Sequence, residues 1–152
     1  VWTKSGAKSI ERIVVGDQVL SQDPISGELA FRFVLDTTLR PPTPIYRLQV
    51  DNEEIIATRG HRFWVNGRGW RMVGFLKPEM ALHSVKGAAK LSAVEDLGKR
   101  EVYNLVVDDF HTYFVGRHKL LVHDSHCPHP VVGPIPGMSI QANDDTAAAA
   151  SP

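Results

Sequence analysis

Tyr46-Arg47-Leu48-Gln49-Val50 and Tyr103-Asn104-Leu105-Val106-Val107 share the spacing Tyr-x-Leu-x-Val, which is the two-residue period of a strand with one buried face. A second match follows in the same order. Ile55 to Val65 aligns with Leu105 to Val115, setting His61-Arg62-Phe63-Trp64-Val65 against His111-Thr112-Tyr113-Phe114-Val115. Val15-Gly16-Asp17-Gln18-Val19 is echoed more weakly by Pro78-Glu79-Met80-Ala81-Leu82. Three ordered matches suggest an internal duplication, with two pseudo-symmetric β halves and His61 and His111 at related positions near the axis. The alternative is that aromatic and β-branched residues simply recur in strands.

The rest of the chain predicts an all-β class. Ile13 to Leu20 reads as a strand and Asp23-Pro24-Ile25-Ser26-Gly27-Glu28 as a tight loop, with extension resuming over Leu29 to Thr38. Arg40-Pro41-Pro42-Thr43-Pro44 lacks three backbone donors within four residues and reads as a surface connection. Ile45 to Val50 is a strand, Asp51 to Glu54 a turn and Ile55 to Val65 extended, and Asn66-Gly67 marks a hairpin. Residues 71–82 are the one stretch suited to a short helix or helical turn, ending near Lys77-Pro78. Ala89 to Leu97, Glu101 to Val107, His111 to Val115 and Lys119 to His123 complete the strands. Beyond Ser125 the periodicity stops. Residues 1–125 therefore form the expected domain, and 126–152 read as a disordered Pro- and Ala-rich tail.

Composition excludes several functions. With 17 Lys+Arg against 17 Asp+Glu over 152 residues there is no basic footprint for nucleic acid or an anionic membrane. No apolar run is long enough to span a bilayer. The chain begins at Val1 without a methionine and is expected to be a processed product or a fragment. A single cysteine, Cys127, makes neither an internal disulfide nor a paired-thiolate zinc site. His123, His126, Cys127 and His129 offer a metal set at intervals of about three, although in a proline-rich stretch that spacing need not converge, and the reading without metal or cofactor is preferred. Trp2, Phe63, Trp64, Trp70, Tyr113 and Phe114 read as core, and the pairs Glu53-Glu54 and Asp108-Asp109 as solvated turn charges.

Two places can carry chemistry. Thr58-x-x-His61 sets a hydroxyl and an imidazole on one turn, and imidazole is the side chain best suited to protonate a departing amide nitrogen near neutral pH. His123-Asp124-Ser125 ends the last apolar run. There the Asp124 side chain is within reach of its own backbone carbonyl, His123 can polarise that carbonyl or shuttle a proton, and Ser125 can accept an acyl group. His111, before an aromatic strand, is a third candidate.

In order, Val1-x-Thr3-x-x-Gly6, Ile10 to Asp17, Thr58-x-x-His61, Val102-Tyr103-Asn104-Leu105, His111 to Val115 and Leu121-Val122-His123-Asp124 resemble the Hint domain, the module shared by inteins, hedgehog autoprocessing domains and bacterial pretoxin regions. The pretoxin type is the nearest, through its similar His-Thr-Tyr-Phe-Val segment. The resemblance implies a horseshoe-shaped β disk with pseudo-two-fold symmetry and single-turnover cleavage or splicing of the flanking polypeptide. It assigns Thr58 and His61 to amide activation, His111 to proton transfer, and His123 with Asp124 to release of the C-terminal flank. It also implies a monomer whose partner is its own polypeptide, and by analogy a place in a secreted or surface bacterial protein.

Three departures shape the expectation. The family's first-position cysteine lies several residues before the segment matched by Val1-Trp2-Thr3, so the nucleophile is expected upstream of this sequence. Asp124 replaces the usual Asn, whose amide nitrogen closes a succinimide, so C-terminal release should be slow or altered. Asn104 stands where many inteins carry Asp. A Hint domain that no longer cleaves and serves as a structural or interaction module is the competing expectation.

Overall fold

The computed structural model describes residues 1–126, Ile135, and two short pieces, Asp144–Asp145 and Ala147–Ala148. Cys127 and His129 lie outside the described residues, as does most of the expected tail. Among the described residues there is no α-helix.

Eleven antiparallel strands form the domain: β1 (Trp2–Thr3), β2 (Gly6–Ala7), β3 (Gln18–Gln22), β4 (Leu29–Val50), β5 (Glu53–Thr58), β6 (Arg62–Val65), β7 (Gly69–Met72), β8 (Ala81–Ser84), β9 (Gly87–Val107), β10 (Thr112–Val115) and β11 (Leu120–His123). Their order is β10-β11-β6-β8-β9-β4-β3-β1-β2, with β5 on β4 and β7 on β6. The antiparallel β class is as the sequence predicts.

Strands β4 and β9 run along each other from Val34↔Val107 to Val50↔Leu91 and form the spine. Arg40 to Pro44 is thus not a connection but part of β4. Pro41 and Pro42 fall where the register shifts between Arg40 and Thr43, Pro44 borders the next shift before Tyr46, and a bulge tolerates missing donors that a regular ladder would not. β9 likewise continues through the expected break after Leu97. Gly98 there adopts φ 90°, and its N–H donates to Asp96 Oδ1 at 2.8 Å, which carries the chain across another register shift. One further expectation is corrected: the stretch read as extended from Ile55 to Val65 breaks at Arg59-Gly60 into β5 and β6. Within residues 71–82 the helical turn is a 3₁₀ turn at Val73–Phe75, before β8 begins.

The halves repeat in geometry as well as in sequence. In the β6–β7 hairpin Arg62 pairs with Met72, and the next N–H, of Val73, donates to the carbonyl of His61 at 2.9 Å. In the β10–β11 hairpin Thr112 pairs with His123, and the next N–H, of Asp124, donates to the carbonyl of His111 at 2.9 Å. The histidines aligned by sequence therefore precede equivalent strands. Both hairpins are anchored by burial: Phe63, Trp64, Val65, Tyr113, Phe114, Leu120, Leu121 and Val122 are almost fully inaccessible. Glu53 corrects its reading as a solvated charge. Its carboxylate accepts the Arg117 N–H at 2.7 and 2.9 Å and so caps the β10–β11 turn.

Candidate functional site

Thr58 at the end of β5, His61 at the start of β6, Asn104 in β9 and Asp124-Ser125 just past β11 converge on one cavity of about 330 Å³. A second cavity, of about 420 Å³, shares Thr58 and His61 and is otherwise walled mainly by apolar residues including Ile45, Ile55 and Phe63.

The His61 ring is packed deeply, although the residue as a whole is only partly buried. Desolvation pushes its pKa down to about 4, more than its contact with the His123 carbonyl restores. The ring is therefore neutral at pH 7. Its Nε2 lies 3.0 Å from the His123 carbonyl oxygen, so that nitrogen carries the proton and donates.

His123 is buried beside Asp124, and its pKa is lowered, first by desolvation, against the opposing pull of the Asp124 carbonyl and carboxylate. Its Nδ1 donates to the Asp124 carbonyl oxygen at 3.1 Å and lies 3.4 Å from Asp124 Oδ1. The edge-on ring of Trp70, with centroids 5.0 Å apart, fixes the imidazole's orientation.

The Asp124 side chain has no exposed surface. Oδ2 accepts the Val107 N–H at 2.7 Å and His111 Nδ1 at 3.0 Å, and Oδ1 accepts the His126 N–H at 2.7 Å. These donors satisfy a carboxylate that burial alone would not tolerate. His111 reaches this position from a left-handed backbone, φ 55°, a conformation uncommon outside glycine. On the far side of the junction the Ser125 N–H donates to the Leu105 carbonyl at 2.8 Å. Ser125 Oγ is buried and finds no hydrogen-bond partner among the described residues.

All six candidate residues thus gather around the end of β11, with Thr58 and Ser125 as cavity walls and the four others in direct hydrogen-bond contact with the junction. The metal set does not assemble among the described residues: His126 stacks on His111, with centroids 4.2 Å apart, and no group of three ligating side chains converges.

Two neighbours were not singled out as site residues from the sequence. The Tyr113 hydroxyl, held in its protonated form by burial, donates to Asn104 Oδ1 at 2.8 Å and lies 3.5 Å from His61 Nε2. Asn104 Oδ1 also accepts the Leu105 N–H at 2.8 Å.

The comparisons agree with this fold. The family described as the pretoxin HINT domain matches residues 1–125. A bacterial intein-like domain from Clostridium thermocellum is 34% identical with a TM-score of 0.77, over 81% of this chain and 92% of that one. The gp41-1 intein is 28% identical with a TM-score of 0.69, over 81% and 91%. A DnaB intein from Synechocystis sp. shares the fold at 19% identity and a TM-score of 0.75, over 83% and 94%. Among curated proteins none matches. Because the match spans the β domain and the junction at its end, this chain belongs to the pretoxin Hint family.

Proposed function

We propose that the domain processes its own polypeptide, with a reaction centre at the Asp124–Ser125 peptide bond. The observation that carries this reading is the 3.1 Å contact from His123 Nδ1 to the Asp124 carbonyl oxygen, which is the carbonyl the Asp124 side chain would attack. A donor placed there stabilises negative charge developing on that oxygen, an effect worth about 10²–10³ in rate at other acyl-transfer sites.

Oδ1 is the freer oxygen, held by one backbone N–H, and it attacks the carbonyl carbon of its own residue to close a five-membered anhydride. The bond to the Ser125 nitrogen then breaks, and the departing amine takes a proton, which His111 supplies. Water reopens the anhydride to a C-terminal aspartate. His61 steadies the reacting residue from the other side by holding the His123 carbonyl. Such fixed orientation can contribute about 7–11 kcal/mol toward the barrier. Thr58 and His61, at the shared wall of the two cavities, are the groups suited to activate an amide ahead of Val1 when a Cys or Ser nucleophile stands upstream.

The full chain, extended upstream and placed between two tag proteins, tests this by fragment masses over time, with and without thiol. Slow release of the C-terminal tag is expected, faster in Asp124→Asn and abolished in His123→Ala, with thiol-dependent N-terminal cleavage lost in His61→Ala. Intact mass in every variant would sink the reading. One observation favours a second reading, in which the domain is a non-cleaving interaction module: three donors fasten the Asp124 carboxylate as a structural clasp. An intact Asp124→Asn protein would favour that reading.

A further inference from the structure

Ile135 lies ten positions beyond Ser125, yet only 2% of its surface is accessible. It packs with Trp64, Phe114 and Leu121 of β6, β10 and β11, and Trp2, Leu20, Trp70 and Val85 close around that cluster. This second core is distinct from the main one, which includes Leu48, Leu82, Leu91 and Leu105. The cluster also touches the reaction centre, because Trp70 packs edge-on against both Trp64 and His123. Trp64 Nε1 is buried with no hydrogen-bond partner among the described residues.

We propose that this pocket is a docking site for the polypeptide downstream of the Asp124–Ser125 bond, with Ile135 as its anchor. The role of the docking rests on the self-processing reading. The bond to be cut is held upstream through His61 and His111 and immediately downstream through the Ser125 N–H on the Leu105 carbonyl, and the departing polypeptide beyond those contacts needs an anchor of its own. Ile135 supplies it. Burying one isoleucine favours the docked over the free segment by roughly ten- to a hundred-fold, and a ten-residue tether keeps its local concentration high. Ile135 is thus a positioning residue on the substrate side, and the site selects for an aliphatic side chain at that distance from the junction.

All three tryptophans of the chain belong to this cluster, so intrinsic fluorescence reads its occupancy directly. Acrylamide quenching is measured on the intact full chain, with intactness checked by mass and folding by circular dichroism. Ile135→Asp should raise quenching several-fold, Ile135→Ala should do so partly, and Ile135→Leu should leave it unchanged. In the tagged chain, C-terminal release should fall about tenfold or more in Ile135→Asp and recover in Ile135→Leu. Quenching that ignores Ile135→Asp overturns the docking site, and altered quenching with an unchanged release rate overturns its positioning role. If quenching responds but the wild-type chain never cleaves, docking stands and the self-processing reading fails.

Discussion

The β6–β7 and β10–β11 hairpins are built on one backbone plan but carry opposite chemistry. Each begins after a histidine whose carbonyl is capped by the first N–H beyond the second strand. After β7 that residue is Val73, fully buried and apolar, and the chain goes on into a 3₁₀ turn and β8. After β11 it is Asp124, equally buried but charged, and the regular domain ends there. The histidines differ in the same sense. His61 is desolvated and neutral, while the partly exposed His111 faces a carboxylate from a left-handed backbone. One copy of the plan thus holds structure, and the other places a carboxyl beside its own peptide bond. The difference lies in a few side chains placed at equivalent backbone positions.

Replacing the two equivalent residues should separate the copies most strongly. Asp124→Ala removes the acceptor of the buried Val107 N–H and the partner of His111, and an unpaired buried donor costs far more than the net value of the bond it loses. A loss of about 3–4 kcal/mol is expected. Val73→Ala deletes two methyl groups from a packed site and should cost about 2 kcal/mol. Urea unfolding of both variants measures this, and equal losses would mean that the carboxylate clasp does not hold the end of β11.

Acid should expose the next difference. The folded pKa of His61 is about 4 against 6.5 in the unfolded chain, so between those values the unfolded state binds a proton that the folded state excludes. Stability from this source is complete above pH 6.5 and is lost as the pH falls toward 4. The shift corresponds to about 3 kcal/mol, which the residue's partial exposure reduces to about 2 kcal/mol. His83, buried against Gln22 Oε1 at 2.8 Å and also lowered to about 4 by desolvation, adds a loss of the same sign. Thermal melts from pH 7 to 4 should therefore flatten in His61→Gln and in His83→Gln. A slope unchanged by His61→Gln would contradict the desolvated ring.

Much of this was legible because it is written locally. The two-residue alternation, the Asn66-Gly67 hairpin and the aligned histidines depend on neighbours along the chain, and all reappear in the structure. What escaped depends on partners far apart in sequence. Glu53 reads as a turn charge because the N–H it caps, that of Arg117, is 64 residues away. Arg40 to Pro44 reads as a break because the bulge that tolerates its prolines is set by β9. Tyr113 reads as core, which its ring is, while its hydroxyl reaches the site only because β9 brings Asn104 opposite. The candidate residues were identifiable, but not all of their pairwise geometry: the contact from His111 Nδ1 to Asp124 Oδ2 follows from the β10–β11 register, which no local pattern specifies.

The smallest difference between the hairpins lies in their turns. Gly67 in the first has φ 80° and Gly116 in the second has φ 76°, so either substitution by alanine forces an L residue into the left-handed region at a cost of about 1 kcal/mol. Around Gly67 a new Cβ meets nothing within 4 Å, so that cost stands alone. At Gly116 the Cβ would sit 2.6 Å from Ile55 Cδ1 and 3.0 Å from Glu53 Oε1. Ile55 can swing its terminal methyl aside. Glu53 cannot move freely, because its carboxylate holds the Arg117 N–H, and displacing it unties the cap that links β5 to the β10–β11 turn. Gly116→Ala should thus exceed Gly67→Ala by about 1.5 kcal/mol, the lower end of the net value of a hydrogen bond to a charged acceptor. Adding Glu53→Gln to both variants provides the check, because the gap should close once the charged cap is gone. A gap that persists in the Glu53→Gln background would assign the difference to the Ile55 contact instead.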